Sequence, residues 1–93
     1  MARPAGRMSE DRAAALALDC LAFLATRPEA FERFADLSGL DRSTVSARAS
    51  EPDFLVAVTD FLLTDEGLLV EFCETGSADA RDVHIARHVL GGR

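Results

Sequence analysis

Lysine, tryptophan and tyrosine are absent from the sequence, and only two cysteines, Cys20 and Cys73, are present. Without lysine the chain has no amine for a Schiff base or for a phosphate-binding loop. Two cysteines are too few for a disulfide scaffold or a zinc cluster, so we expect two buried free thiols in a reducing cytoplasm. Neither a CxxC motif nor a serine in a nucleophile elbow occurs. We therefore expect no enzymatic activity and no cofactor.

A long uninterrupted apolar run is also missing. Residues 13–25 are mostly apolar, but Asp19 interrupts them, and the run is shorter than the about 20 residues of a membrane-spanning helix. No small-residue cleavage site follows, and Asp19 directly before Cys20 is incompatible with a lipoprotein box. We expect a cytoplasmic protein with no membrane association.

The composition is typical of one globular domain. The chain has 93 residues, 48% of them apolar, and a net charge of −6. A chain of this length forms a single domain with a modest core. Residues 1–8 contain Pro4, Gly6 and two arginines without an apolar period, which predicts a disordered N-terminal tail. A single helical domain is expected over residues 9–92.

Helix-capping signals divide that domain into short helices. Ser9 is placed to cap a first helix that ends near residue 25. Residues 26–29 (Thr-Arg-Pro-Glu) and 50–53 (Ser-Glu-Pro-Asp) each combine a capping box with a proline in the first turn, which predicts the starts of helices two and four. The remaining boundaries are predicted at Gly39, at Asp41 (before helix three, about 42–49), at Thr64 or Asp65, at Gly76, at Ser77 or Asp79, and at residues 91–92.

Apolar periodicity indicates which helix is central. Residues 54–63 are apolar on nearly all sides, so we expect them to be the buried centre on which the other helices pack. No stretch alternates with the period of two that a half-buried strand shows. The predicted fold is an all-α, compact orthogonal bundle of five or six short helices around a buried fourth helix. Helix two is expected to bury a side formed by Phe31, Phe34, Ala35 and Leu37.

Residues 31–50 contain a partial helix-turn-helix pattern, in which Gly39 lies between two helices. Arg48 departs from the pattern, which requires a residue buried against the first helix at that position, and an unpaired buried charge would cost several kcal/mol. The hypothesis therefore depends on whether Arg48 faces solvent or the core. The acidic balance of the chain also opposes phosphate contacts. Nucleic acid is therefore an unlikely partner, and a helix-turn-helix binder is the alternative hypothesis. The small and apolar positions of the pattern are occupied by Phe34, Ala35, Leu40 and Val45. The residues that would contact nucleic acid are Arg42, Ser43, Ser46 and Arg48, together with the arginines of the N-terminal tail.

His84 and His88 lie four residues apart on the last predicted helix, a spacing at which two imidazoles can bind one metal ion. A complete site needs a third ligand, and the sequence implies none nearby. We expect the two histidines to lie on a partly solvated surface. A metal- or ligand-binding helical protein is the third hypothesis.

Residues 51–80 carry eight acidic residues and no basic one. Such residues commonly form the solvated faces of helices, but together they also provide a surface for a basic partner. The leading hypothesis is a non-enzymatic protein–protein interaction or regulatory module, as a monomer or small homo-oligomer with an unknown protein partner. Its candidate partner-binding residues are Asp60, Asp65, Glu66, Glu71 and Glu74.

Several segments together resemble a known family. They are ALALDCLAFLA (residues 15–25), the helix end L-x-G-L (37–40) and RASEPDFLVAVTDFLLTDEGLLVEFC (48–73), of which residues 53–69 are the most specific. Over residues 13–92 the chain resembles a bacterial family of small all-helical proteins catalogued as a domain of unknown function. The resemblance implies a small, helical, cytoplasmic protein with a regulatory or adaptor role, and it carries over no catalytic or ligand-binding residue.

Overall fold

Six α-helices make up most of the described chain. The computed structural model describes residues 8–39, 42–76 and 78–91, except for the side chains of Arg42 and Ser46. No strand occurs in these ranges, which confirms the all-α prediction. In chain order the helices are α1 (Glu10–Ala25), α2 (Pro28–Ser38), α3 (Arg42–Arg48), α4 (Pro52–Leu63), α5 (Glu66–Glu74) and α6 (Ala80–Gly91).

Helix α4 lies at the centre of the bundle. It contacts α1, α2, α5 and α6, and the most extensive packing is among α1, α4 and α6. A polar side chain is accommodated in this centre because the hydroxyl of Thr59 donates to the carbonyl oxygen of Val56 at 2.9 Å. The predicted central helix is confirmed, and its buried residues are Phe54, Leu55, Val58, Thr59, Phe61 and Leu62.

Edge-to-face phenylalanine pairs join α2 to α4 and α1 to α5. The ring of Phe34 lies 5.7 Å from that of Phe54 and 5.4 Å from that of Phe61, measured between centroids. The ring of Phe23 lies 5.6 Å from that of Phe72. Such pairs add about 0.5–1.5 kcal/mol beyond apolar burial. They hold α2 and α5 against the bundle, and α5 carries most of the candidate partner-binding residues.

Three helices end in the same way, at a threonine three residues after a buried phenylalanine. The hydroxyl of Thr26 donates to the carbonyl oxygen of Phe23 at 2.6 Å. The corresponding bonds at the ends of α4 and α5 are Thr64 to Phe61 at 2.9 Å and Thr75 to Phe72 at 2.7 Å. The same three carbonyl oxygens also accept the backbone N–H of the threonine, so each threonine bonds the helix end twice.

This arrangement overturns the two capping boxes predicted before the prolines. Thr26 ends α1 and does not cap α2, whose N-cap is Arg27 without a side-chain hydrogen bond. Likewise Ser50 lies in the turn after α3, and the N-cap of α4 is Glu51, again without a side-chain bond. Because proline takes the first helical position and has no N–H, the residue directly before it becomes the N-cap.

Three other predicted N-caps fit the structure. Ser9 accepts a hydrogen bond from the backbone N–H of Arg12 at 3.1 Å. Asp65 accepts one from the N–H of Leu68 at 3.2 Å. Of the two alternatives for the N-cap of α6, Ser77 and Asp79, the structure shows Asp79 in this role. Its carboxylate accepts a hydrogen bond from the backbone N–H of Asp82, and the Asp82 carboxylate accepts one from the backbone N–H of Asp79. This reciprocal pair is a capping box with aspartate in place of the usual glutamate.

Glycines end α2 and α6 near the predicted positions. Gly39 has φ 68°, a left-handed conformation that glycine reaches without a Cβ clash. Gly91 is the last residue of α6, and a Cβ there would lie 3.2 Å from a methyl carbon of Val56, so its absence lets α6 approach α4 closely. The other boundary predictions on Leu40, Asp41, Ser77 and Gly92, and the tail prediction for residues 1–7, lie outside the described residues.

One core prediction is wrong. Phe31 and Phe34 are buried as expected, but Leu37 is 77% exposed. At about 100° per residue, Leu37 is rotated by roughly 120° from Phe31 around the helix axis, which takes it off the buried side. Among the described residues, no helix combines the length and the apolar character that crossing a membrane requires.

Candidate partner-binding site

Three of the five predicted partner-binding acids already contact an arginine of another segment. The carboxylate of Asp60 lies 2.8 Å from the guanidinium of Arg87. Asp65 and Glu71 lie 3.1 and 2.9 Å from Arg33 and Arg27, respectively. The candidate residues therefore do not form one uncompensated acidic surface, although residues 51–80 contain no arginine.

Two of these ion pairs form what we call the α2–α5 face: Arg27 with Glu71, and Arg33 with Asp65. Each guanidinium also lies over a buried aromatic ring, Arg27 at 4.9 Å from the centroid of Phe23 and Arg33 at 5.4 Å from that of Phe61. A cation over an aromatic face is favoured by the ring quadrupole. The arginines on this face are thus held in place by both a carboxylate and a ring.

The charge of Asp65 is stabilised on the same face. The backbone N–H of Leu68 is the main cause that lowers the pKa of Asp65 below its usual 3.8, and the hydrogen bond from Arg33 contributes further. A concave region of about 670 Å³ lies between the helices here, and it is bordered by both ion pairs. Both arginines that border this region thus already have a carboxylate partner within the chain.

The opposite side of α5 differs. Glu66 and Glu74 are exposed, and neither forms an ion pair with any side chain that the structure describes. Between them and the start of α6 lies a shallow cavity of about 440 Å³, here called the α5–α6 groove. Val70 within it is 50% exposed. The groove is lined by Glu66, Leu69, Val70, Cys73, Glu74, Asp79 and Ala80.

The negative charge around this groove acts on the thiol in its wall. Partial burial is the main cause that raises the pKa of Cys73, and the carboxylates of Asp79 and Asp82 raise it further. Cys73 is only partly buried, in contrast to the prediction, whereas Cys20 is fully buried. Burial, with smaller contributions from Asp19 and Cys73, raises the pKa of Cys20 to about 12. Both thiols are free, as predicted.

The groove contains residues that the sequence prediction missed. Leu69, Val70 and Cys73 were not among the candidates, and neither was Asp79. A signal for three of them is present: positions 66, 69, 70, 73 and 74 follow the i, i+3, i+4, i+7, i+8 spacing of one helix face. Phe72 is buried, Leu69 and Cys73 are half-buried, and Val70 is the exposed apolar residue of this face.

The helix-turn-helix candidates are described only in part. Arg48 is 40% exposed, and its Nε lies 2.7 Å from a carboxylate oxygen of Glu51. Its guanidinium lies 5.6 Å from the ring centroid of Phe54. The structure thus answers the question that the sequence left open: Arg48 is partly exposed and paired, so it is not an unpaired buried charge. Ser43 and Thr44 are exposed, and the side chains of Arg42 and Ser46 lie outside the described residues. Nucleic-acid binding stays a prediction.

His84 and His88 are both exposed on α6. Within the described ranges, no three histidine, cysteine, aspartate or glutamate side chains come together in a way that could hold a metal ion. The structure thus places the two imidazoles at solvent without adding a third ligand to them, and metal binding stays a prediction.

The fold and this surface define a small all-α bundle with an acid-bordered apolar groove on one side. A sequence profile of the DUF3572 family, described as protein of unknown function, matches residues 10–93. The chain therefore belongs to this family, which confirms the resemblance to a family of unknown function. No curated protein and no solved structure matches the chain.

Proposed function

We propose that this chain is a non-enzymatic protein–protein interaction module of the cytoplasm, and that it binds its partner at the α5–α6 groove. The observation that carries the proposal is the exposed apolar surface at Val70 within a concave region between two helices. Exposed apolar residues that occur singly need no explanation, whereas an apolar concave surface bordered by polar groups is typical of a binding site.

The distribution of ion pairs supports the same site. On the α2–α5 face the acids of α5 are satisfied by arginines within the chain. On the groove side, Glu66 and Glu74 lie beside apolar neighbours and have no ion-pair partner among the described side chains. A partner that supplies cations to these two positions would gain contacts that the isolated chain lacks.

The proposal can be tested by site-specific photo-crosslinking in cells. A benzophenone amino acid at position 70 should give a discrete adduct with a partner protein, because this residue lies in the groove. The same residue at position 37 is the matched control, since Leu37 is even more exposed but lies on α2. The partner identified from the adduct should then bind the purified chain with a measurable Kd.

Equal adducts from positions 70 and 37, or none from position 70, would contradict the proposal. Circular dichroism of both variants should show the helical content and Tm of the unmodified chain, so that a missing adduct reflects the surface and not an unfolded protein.

A further inference from the structure

We propose that the occupant of the α5–α6 groove is a short basic amphipathic segment of a partner protein, with an apolar side on Val70 and arginine or lysine side chains at the acidic border. This inference rests on the proposed function, because it concerns the partner of the same groove. It adds the chemical class of that partner and the residues that recognise it.

The apolar part of the groove fits the apolar side of a helix. Leu69, Val70 and Cys73 lie next to one another on the groove side of α5, which is nine residues long. At about 1.5 Å per residue, α5 offers roughly 13 Å of surface along its axis, the length of two to three helical turns. Amphipathic helices commonly bind such surfaces through apolar residues at i, i+3, i+4 and i+7.

Three carboxylates surround this apolar surface and decide the charge of the occupant. Glu66 lies at the start of α5, Glu74 at its end, and Asp79 across the groove at the start of α6. No arginine or histidine is among the described residues that line the groove. The Asp79 carboxylate accepts a hydrogen bond from the backbone N–H of Asp82 and forms no ion pair with a described side chain.

An uncharged occupant would be disfavoured, because it would remove these carboxylates from water without pairing them. A segment with cations opposite the three positions replaces the lost hydration with ion pairs. A second copy of this chain is a poor occupant, because two α5–α6 grooves facing each other would bring like charges together. The whole chain also carries a net charge of −6. The raised pKa of Cys73, to which Asp79 and Asp82 contribute, is consistent with a negative potential at the groove wall.

The test is a titration of the ¹⁵N-labelled full chain, followed by NMR, with synthetic peptides of about 15 residues, a length at which helices become stable. The first peptide is an amphipathic leucine–arginine helix, the second replaces every arginine with glutamate, the third replaces them with glutamine, and the fourth is a scrambled basic peptide. We expect the first to shift the resonances of residues 66–74 and 79–80 saturably, and to bind at least tenfold more tightly than the others.

Charge variants then locate the contact. The double substitution E66Q/E74Q should weaken binding of the basic amphipathic peptide by about tenfold, and added salt should weaken it in the wild type more than in the variant. The matched control is E29Q/E32Q, which removes two exposed acids from α2 and should leave the affinity unchanged.

The outcomes separate this inference from the proposed function. If the glutamine or glutamate peptide binds the groove as well as the basic one, the basic class is wrong although the groove is a binding site. If no peptide shifts the resonances of the groove residues while position 70 still gives its adduct, the proposed class of partner segment is wrong and the proposed function stands. If neither experiment detects binding, both are wrong. Resonances of the groove that move with protein concentration alone would show that a second copy covers it, which also overturns the inference.

Discussion

Helix α5 carries acidic residues on two sides, and the rest of the chain treats the two sides differently. On the α2–α5 face, Asp65 and Glu71 are each bound by an arginine that also lies over a phenylalanine ring. At the α5–α6 groove, Glu66 and Glu74 lie beside exposed apolar surface and form no ion pair within the described chain. One helix therefore contributes both to the stability of the bundle and to its candidate binding surface.

This difference shows why a run of acidic residues is an ambiguous signal. The arginine that pairs with Asp65 lies 32 residues away along the chain, so local composition gives no indication of it. Ion pairs at the surface are each worth only about 0–1 kcal/mol. These ion pairs matter here because they decide which carboxylates can bind a partner protein. A carboxylate that is already bound to an arginine of the same chain is less able to do so.

The largest expected effect comes from the residue that supports both sides of α5. Phe72 is the helix's only buried residue, and it contacts Phe23 edge-on. Phe72→Ala should lower the free energy of unfolding by about 3–5 kcal/mol, because it removes an aromatic side chain from the core and leaves a cavity. Urea unfolding followed by circular dichroism measures this change. Val70→Ala, two residues away at solvent, should change it by less than about 0.5 kcal/mol.

Substitutions on the α2–α5 face should change the free energy of unfolding less than Phe72→Ala does. Arg27→Ala and Arg33→Ala each remove an ion pair and a cation over a ring, both partly exposed. We expect each to lower the free energy of unfolding by about 0.5–2 kcal/mol, the sum of an exposed pair and a cation–ring contact. Basic-peptide affinity should stay at the wild-type value. Arg81→Ala is the control, because Arg81 is exposed and forms no ion pair with the described carboxylates.

The pH dependence of stability isolates the charge of Asp65. Its folded-state pKa lies below the usual 3.8, so the ionised form stabilises the fold. This contribution is complete above the unfolded pKa and is lost as the pH falls through the lower, folded pKa. Asp65→Asn keeps an equally good N-cap side chain. The stability difference between wild type and Asp65→Asn should be constant near neutral pH and shrink below pH 3.8; a difference that grows in acid would contradict this assignment.

The smallest effects are expected at the groove, and they should have opposite signs. Glu66 lies in the first turn of α5, where a negative charge is favourable to the helix, whereas Glu74 is its last residue, where it is unfavourable. Glu66→Gln should lower the free energy of unfolding by about 0.3–1 kcal/mol, and Glu74→Gln should raise it by a similar amount. Both should weaken basic-peptide binding. Thermal unfolding and calorimetric titration of the two variants separate stability from recognition.

Local signals in the sequence predicted the helices well where one residue decides a boundary. Ser9, Gly39 and Asp65 act at the expected places, because a cap needs only a side chain or a conformation within one turn. The failures at Thr26 and Ser50 have a common cause. Proline at the first helical position moves the N-cap one residue later, and the threonine is left to the preceding helix.

The candidate site could be predicted only in part. The acidic character of residues 51–80, which include the candidates Glu66 and Glu74, is visible in the sequence. The pairing of Asp60 with Arg87 depends on how α4 and α6 pack, and no local pattern contains that information. The spacing of Leu69, Val70 and Cys73 is visible, but whether a neighbouring helix covers this face of α5 is decided by the tertiary fold.

The phenylalanine–threonine pairs that end α1, α4 and α5 have a consequence for how this chain tolerates changes in length. One residue inserted between a phenylalanine and its threonine would rotate the following chain by about 100° and separate the hydroxyl from its carbonyl. In α1 and α4 the next helix begins two residues after the threonine, so no loop could absorb the rotation. Insertions should be rejected at these two junctions and accepted more readily after Thr75, where four residues separate the threonine from α6.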